Sequence, residues 1–190
     1  MTEKRREFDY LLPPEECERV YEVLDGHPAL DPCGHPDQFL QAERVLYGTN
    51  IDDDGMLVSW QGKKVFLNAP HGEREPKHPT DFCWYPFTKW MTKASIESQR
   101  GATVLAFLPA TTDRRWFHNY VSEATSIVLL EQRVKCYVPD RATTQGAPSR
   151  GAQPMTPHML ALWTSDPVIA EQFYLAYKSR GMIVEPRPLS

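Results

Sequence analysis

No apolar run in this sequence approaches the ~20 residues needed to span a bilayer, and its opening residues, Met1-Thr2-Glu3-Lys4-Arg5-Arg6-Glu7, lack the apolar stretch of a secretory signal. The expectation is a cytoplasmic protein. Cysteine is sparse: Cys17, Cys33, Cys83 and Cys136 are scattered with no CxxC or Cys/His ligand spacing, so neither a zinc site nor a disulfide framework is indicated, and reduced thiols are expected. His27, His35, His78 and His158 have no metal-ligand spacing either, and no metal is assigned. A GxGxxG loop is missing, which argues against a dinucleotide site. There is no basic excess: the formal net charge is -4 and the pI about 5.9. That argues against affinity driven mainly by phosphate contacts. Net charge leaves a local basic groove open, because Arg114 and Arg115 adjoin and Lys89, Lys93 and Arg100 follow one another along a predicted helix.

What is present suffices for one core. The chain has 190 residues, 41% of them hydrophobic and 11% aromatic, with 24% charged, a balance that suits one globular domain and not two catalytic ones. Residues 13–24 place Cys17, Val20, Tyr21 and Leu24 at helical spacing, with prolines at the entry and acidic residues in the first turn. Residues 27–30 read as a first strand running into the turn Asp31-Pro32-Cys33-Gly34. A short helix is expected over 36–44 and a strand edge at 45–47. Asp52-Asp53-Asp54-Gly55 is a turn, and Lys64-Val65-Phe66-Leu67 a buried strand.

The charged, proline-rich stretch 72–81 reads as an exposed loop, followed by a crossover helix over 84–98 and a strand over 103–108. A helix capped by Asp113, strands at 127–130 and 134–138, a mobile loop at about 139–157, a last strand at 158–163 and a last helix over 167–180 complete the pattern. Trp84, Trp90, Trp116 and Trp163 fall in these elements and read as core, while His118 is open between a packed core residue and a base-contacting one. Alternation of short apolar strands with helices implies an α/β doubly wound sheet, whose ligands bind beyond the carboxyl ends of the strands. Asp31 to Gly34, Asn68 to Gly72 and Pro109 to Asp113 should therefore cluster along one edge.

The tetrapeptide after the best strand, Asn68-Ala69-Pro70-His71, has a chemistry of its own. An exocyclic amine on a nucleobase is a poor nucleophile because its lone pair is delocalised into the ring. An enzyme that methylates it must extrude the base and hold the nitrogen pyramidal. A side-chain acceptor, a neighbouring backbone carbonyl, a stiff turn and a stacking ring do this, and Asn68, Ala69, Pro70 and His71 would fill those roles in order.

Four blocks, YLLPP (10–14), LDPCGHP (30–36), DDGMLVSWQGKKVFLNAPHG (53–72) and GATVLAFLPATTDRRWFH (101–118), occur in the order found in phage DNA N6-adenine methyltransferases. The chain resembles that family over roughly residues 8 to 163. The resemblance implies a Rossmann-like doubly wound sheet of a class I S-adenosylmethionine-dependent methyltransferase, with a mixed sheet, S-adenosyl-L-methionine as cofactor and DNA as partner. It makes Asn68, Ala69, Pro70 and His71 the catalytic group. It also makes Pro13 and Pro14 part of the segment closing over the cofactor, Asp31 and Cys33 the cofactor loop, and Asp54 an acceptor for the cofactor's adenine amine.

Where this chain reads Asn-Ala-Pro-His, the family typically reads Asn-Pro-Pro-Tyr or a close relative. Alanine keeps the carbonyl but loosens the turn, and histidine supplies a smaller ring that protonates near pH 6.5. The charged loop at 72–81 is a second departure. Two readings follow: a DNA adenine N6-methyltransferase, with cytosine N4 as a close variant, or a methyltransferase-fold binding or regulatory module without turnover. The sequence carries no separate domain for base readout and sets no oligomeric state.

Overall fold

The computed structural model describes residues 10–70, 85–138, 149–152 and 156–186. Five strands form the main sheet in the order β1 (Lys64–Leu67), β2 (Thr103–Pro109), β6 (His158–Trp163), β3 (Ser126–Leu130) and β7 (Gly181–Val184). β1 and β2 are parallel, while β6 is antiparallel to both of its neighbours, β2 and β3. β2 and β3 consequently run the same way with a reversed strand between them. β7 closes that side, antiparallel to β3. The sheet is thus mixed, as expected.

The other side continues through short bridges: Leu30 pairs with Val65 and Asp31 with Val45, both parallel. The expected strands at 27–30 and 45–47 are therefore single bridges on one side of β1, with Leu30 next to it and Val45 beyond, against Asp31. Ala29 and Leu30 donate their N–H groups to the Lys64 carbonyl, and Phe66 donates to the Leu30 carbonyl.

Helices cover both faces. The helix α1 (Pro14–Leu24) has Pro14 in its first turn, where a missing N–H costs nothing, and Glu15 and Glu16 near its positive end. It ends at Asp25 in the left-handed conformation (φ 52°), whose N–H returns to the Tyr21 carbonyl. With α4 (Pro167–Tyr177), started by the Asp166 side chain accepting from the Val168 N–H, it covers the face carrying Phe66, Leu105, Phe107, Val128, Leu160 and Leu162. On the opposite face α2 (Phe87–Gln99) and the short α3 (Arg115–Asn119) cover Val65, Leu67, Val104, Ala106, Leu108 and Ala161. Burial on both faces explains why β2 and β6 read as unbroken apolar runs instead of alternating ones.

Four expectations change. Residues 36–44 form turns and no helix, with the Gln38 N–H closing on the His35 carbonyl. Cys136–Val138 (β4) lies outside the main sheet and pairs with Ser149–Ala152 (β5), which falls inside the stretch expected to be a loop. The last helix stops at Tyr177, and β7 follows it. The helix after Asp113 begins only at Arg115 and gives way to a 3-10 turn at Val121–Glu123. The charged loop at 72–81 lies outside the described residues, among which no helix is long and apolar enough to cross a membrane.

Candidate functional site

A shallow cleft, open to solvent, lies at the carboxyl end of β1. Asn68, Ala69 and Pro70 form one wall, continuing straight out of the strand, and Asp31 and Cys33 come from the turn beyond the adjacent Leu30 bridge. Parallel neighbours place their carboxyl ends side by side, and this brings two turns 37 residues apart in sequence to one crevice. Tyr10, Leu11 and Leu12 supply a further wall, and His35, Gln38, Leu40 and Phe66 complete the lining.

The Asp31 turn is locked. Asp31 is buried, and its Oδ1 accepts from the Cys33 N–H at 3.0 Å while Oδ2 accepts from Gln38 Nε2 at 3.0 Å. Gln38 also donates to the Leu40 carbonyl and accepts from the His35 N–H at 2.7 Å. Gly34 is required by space: a Cβ there would sit 2.0 Å from Val45 Cγ1. Gly55 is excluded from substitution in the same way, since its Cβ would lie 2.1 Å from the Pro32 carbonyl oxygen.

Asn68 is held differently. Its Nδ2 donates to the Tyr10 carbonyl at 2.8 Å. A carbonyl only accepts, so that bond fixes the amide's orientation and turns Oδ1 away as the acceptor end. Ala69 is buried and belongs to the core under α2 and α3, anchoring the turn from below.

The remaining expected site residues lie elsewhere. Pro13 is the buried N-cap of α1 and Pro14 its exposed first residue; the cleft is lined by the three residues before them. Asp54 is fully buried and outside the lining. Its Oδ1 accepts from the Met56 N–H and its Oδ2 from the Tyr85 hydroxyl, both at 2.8 Å. The neighbouring Asp53 fastens the preceding turn, accepting from Tyr47 N–H, Thr49 N–H and the Thr49 hydroxyl. Burial works to raise its pKa, but these bonds and Arg44 outweigh it and hold the carboxyl below its ordinary value. His71 lies outside the described residues, as do Gly72 and the rest of that loop. Pro109 ends β2 and residues 110–113 follow it, and none of them lines the cleft.

Sequence reasoning missed Gln38 and the direct part of Tyr10 to Leu12. The 10–14 block drew attention to the segment, yet nothing local marks a backbone carbonyl as the partner of an amide 58 residues away. The segment is held in place by β4: Leu11 and Tyr137 exchange N–H and carbonyl bonds at 2.8 and 2.9 Å. Phe39 adds an edge-on contact with the Tyr137 ring at 4.7 Å.

Two buried thiols, Cys17 and Cys136, lie outside the cleft lining. Burial, aided by Glu18, Glu16 and Glu15, pushes the Cys17 thiol up to about 12; burial and Glu16 do the same to Cys136. Both are neutral and unreactive at physiological pH. Among the described residues no group of three or more His, Cys, Asp or Glu side chains is arranged to hold a metal ion. Comparison of the chain with protein-family models, with curated proteins and with solved structures finds no match.

Proposed function

We propose that this chain transfers a methyl group from S-adenosylmethionine to the exocyclic N6 amine of adenine in DNA. One observation carries the reading. An asparagine at the end of a buried strand has its amide nitrogen tied to a backbone carbonyl, leaving its oxygen as an acceptor beside a cleft shared with Asp31 and Cys33. The mixed sheet, with β6 reversed between the co-directional β2 and β3, supports the Rossmann-like fold of class I methyltransferases that the resemblance implies.

The cleft's lining suits an adenosyl group with a charged tail. Leu12, Leu40 and Phe66 provide apolar surface, and Asp31, Gln38 and Asn68 provide polar groups. Asp31 and Cys33 would hold the cofactor, which when bound supplies the electrophilic methyl carbon and departs as a thioether. Asn68 Oδ1 would accept one N–H of the target amine, and the Ala69 carbonyl the other. That pair of bonds draws the lone pair out of conjugation and aims it along the line of attack. Asn68 is neutral and does not take the proton, which passes to solvent once the new C–N bond has formed. Asp54, Pro13 and Pro14 act from behind, as supports for the turns.

The Asn-Ala-Pro-His tetrapeptide favours a second reading, a module of this fold that binds without turnover. Two measurements separate the readings. Calorimetry with S-adenosylmethionine and S-adenosylhomocysteine should show binding under either, and its absence at millimolar ligand ends the cofactor assignment. Mass spectrometry of DNA from an expressing host should show N6-methyladenine above a vector control. Unmethylated DNA together with cofactor binding selects the module. N4-methylcytosine instead would move the target to cytosine.

A further inference from the structure

The chain's charge is divided between two regions. Between residues 10 and 70 eleven acidic residues stand against four basic ones, whereas between 85 and 123 five basic residues stand against three acidic. Glu97 is buried against Lys93 and faces Arg100, and Glu123 accepts from the Ser95 hydroxyl, which leaves Lys89, Arg114 and Arg115 as exposed cations with Asp113 the exposed acid among them. An overall acidic protein therefore carries a locally cationic face on α2 and α3.

Packing gathers Lys89, Arg114 and Arg115 at the end of the sheet that holds the cleft, while Lys93 and Arg100 lie with Glu97 at the other end. Phe87, the first residue of α2, lies edge-on to Trp116 of α3 with ring centroids 4.7 Å apart, so the starts of the two helices touch. Arg114, Arg115 and Lys89 are exposed around that contact. Tyr85, just before α2, donates its hydroxyl to Asp54, whose neighbour Gly55 is pressed against Pro32 in the cleft's own turn. Flat rings are interleaved with the charges. Lys89 stands 5.8 Å above the half-buried Tyr85 ring, and the half-buried Phe117 carries the exposed His118 edge-on at 5.5 Å.

We infer that this face is a docking surface for a nucleic-acid strand with unstacked bases: Lys89, Arg114 and Arg115 receive phosphates, and Tyr85, Phe117 and His118 offer stacking surface. Cations alone would serve any polyanion. Rings set among them are the arrangement that binds single strands, because every base has a face to stack and every linkage a charge to neutralise. The acidic region beyond the cleft repels the same backbone, and so the strand approaches from the α2–α3 side only. The partner class rests on the methyl-transfer reading, but the surface is argued from charge and packing, and the two fail separately.

Fluorescence anisotropy of the full chain with a labelled single-stranded DNA of ~20 nucleotides tests it. The Lys89→Gln/Arg114→Gln/Arg115→Gln variant should bind at least ~10-fold more weakly at low salt. Its log K against log salt slope should be shallower by about 2, the value for three lost phosphate contacts on a single strand. Lys63→Gln/Lys178→Gln, removing cations elsewhere, should leave both unchanged. If the triple variant loses its fold by circular dichroism, Arg115→Gln alone should weaken binding ~2- to 5-fold with a slope change near 0.7. The inference is overturned by wild-type protein that does not bind the strand at low salt, by cation variants that bind as wild type does, or by a poly-glutamate peptide that binds equally well. Calorimetry with S-adenosylhomocysteine is run alongside. Strand binding without cofactor binding keeps the surface and discards the methyl-transfer reading; the reverse keeps that reading and discards the surface.

Discussion

The two ends of β1 are built to opposite specifications. At its start Trp60, Glu97 and Lys93 are tied to one another. Trp60, fully buried, donates its N–H to Glu97 Oε2 at 2.8 Å and its indole N–H to the Gly55 carbonyl at 3.0 Å. Lys93 closes the group, 3.1 Å from Glu97 and 5.2 Å from the Trp60 ring. At the other end, Asn68 spends only its amide nitrogen, and the strand opens into solvent. The difference teaches how one four-residue strand is anchored at one end and open at the other: the end closed by Trp60, Glu97 and Lys93 supplies the rigidity that lets the Asn68 end stay open. The Asp31 turn combines the two, saturated within itself yet lining the cleft.

The contrast can be broken at either end. Glu97→Ala should cost most, roughly 3 kcal/mol, because it strands the Trp60 N–H and the nearly buried Lys93 ammonium together; urea unfolding measures it, and a loss under about 1 kcal/mol would show that the start of β1 is not an anchor. The pH dependence has a definite sign. Burial would raise the Glu97 pKa, but the Trp60 N–H, Lys93 and Arg100 outweigh it and hold it below the ordinary 4.5. Its contribution is therefore complete above that value and disappears as the pH falls through the lowered one. The unfolding midpoint of wild type should fall in that acidic range, with a flatter profile for Glu97→Gln. Gly34→Ala should cost about 1–3 kcal/mol, since Val45 must move to admit the new methyl group; a variant as stable as wild type would show the Asp31 turn to be slack. Asn68→Ala should cost least, ~1 kcal/mol or less for one hydrogen bond. Under the proposed function, however, it should lower methyl transfer roughly 100-fold or more while leaving cofactor binding intact, and unchanged turnover would remove Asn68 from the chemistry.

The strands that carry most of the core were legible because each is an apolar run between turn formers: Val65-Phe66-Leu67, Thr103 to Leu108, Ile127 to Leu130 and His158 to Trp163. The helices α1, α2 and α4 were legible by spacing, and α1 and α4 also by Pro14 and Pro167 at their starts. β7 was not, because Gly181-Met182-Ile183-Val184 directly follows a helix as apolar as itself and is distinguished only by pairing with β3. Nor was β5, since Ser-Arg-Gly-Ala has no apolar pattern and gains its strand from β4 alone. The meeting of Asp31, Cys33 and Asn68 followed from the rule that parallel strands present their ends together. The role of Gln38, which bridges Asp31 and Leu40, required coordinates: a glutamine's reach is decided by the fold of the turn that carries it. Asp54 shows the converse, an acid conspicuous in sequence whose two oxygens are committed to the Met56 amide and the Tyr85 phenol.

The mutual backbone bonds between Leu11 and Tyr137 bear on how the protein matures. A wall of the crevice made from the earliest described residues is fastened by a strand synthesised some 126 positions later, and Glu16 waits still longer for Arg180, 164 residues away. A ribosome-bound chain halted before residue 137 thus holds both turns of the crevice but lacks the clasp that seats its third wall, so the crevice is completed late in translation, as closure of long loops demands.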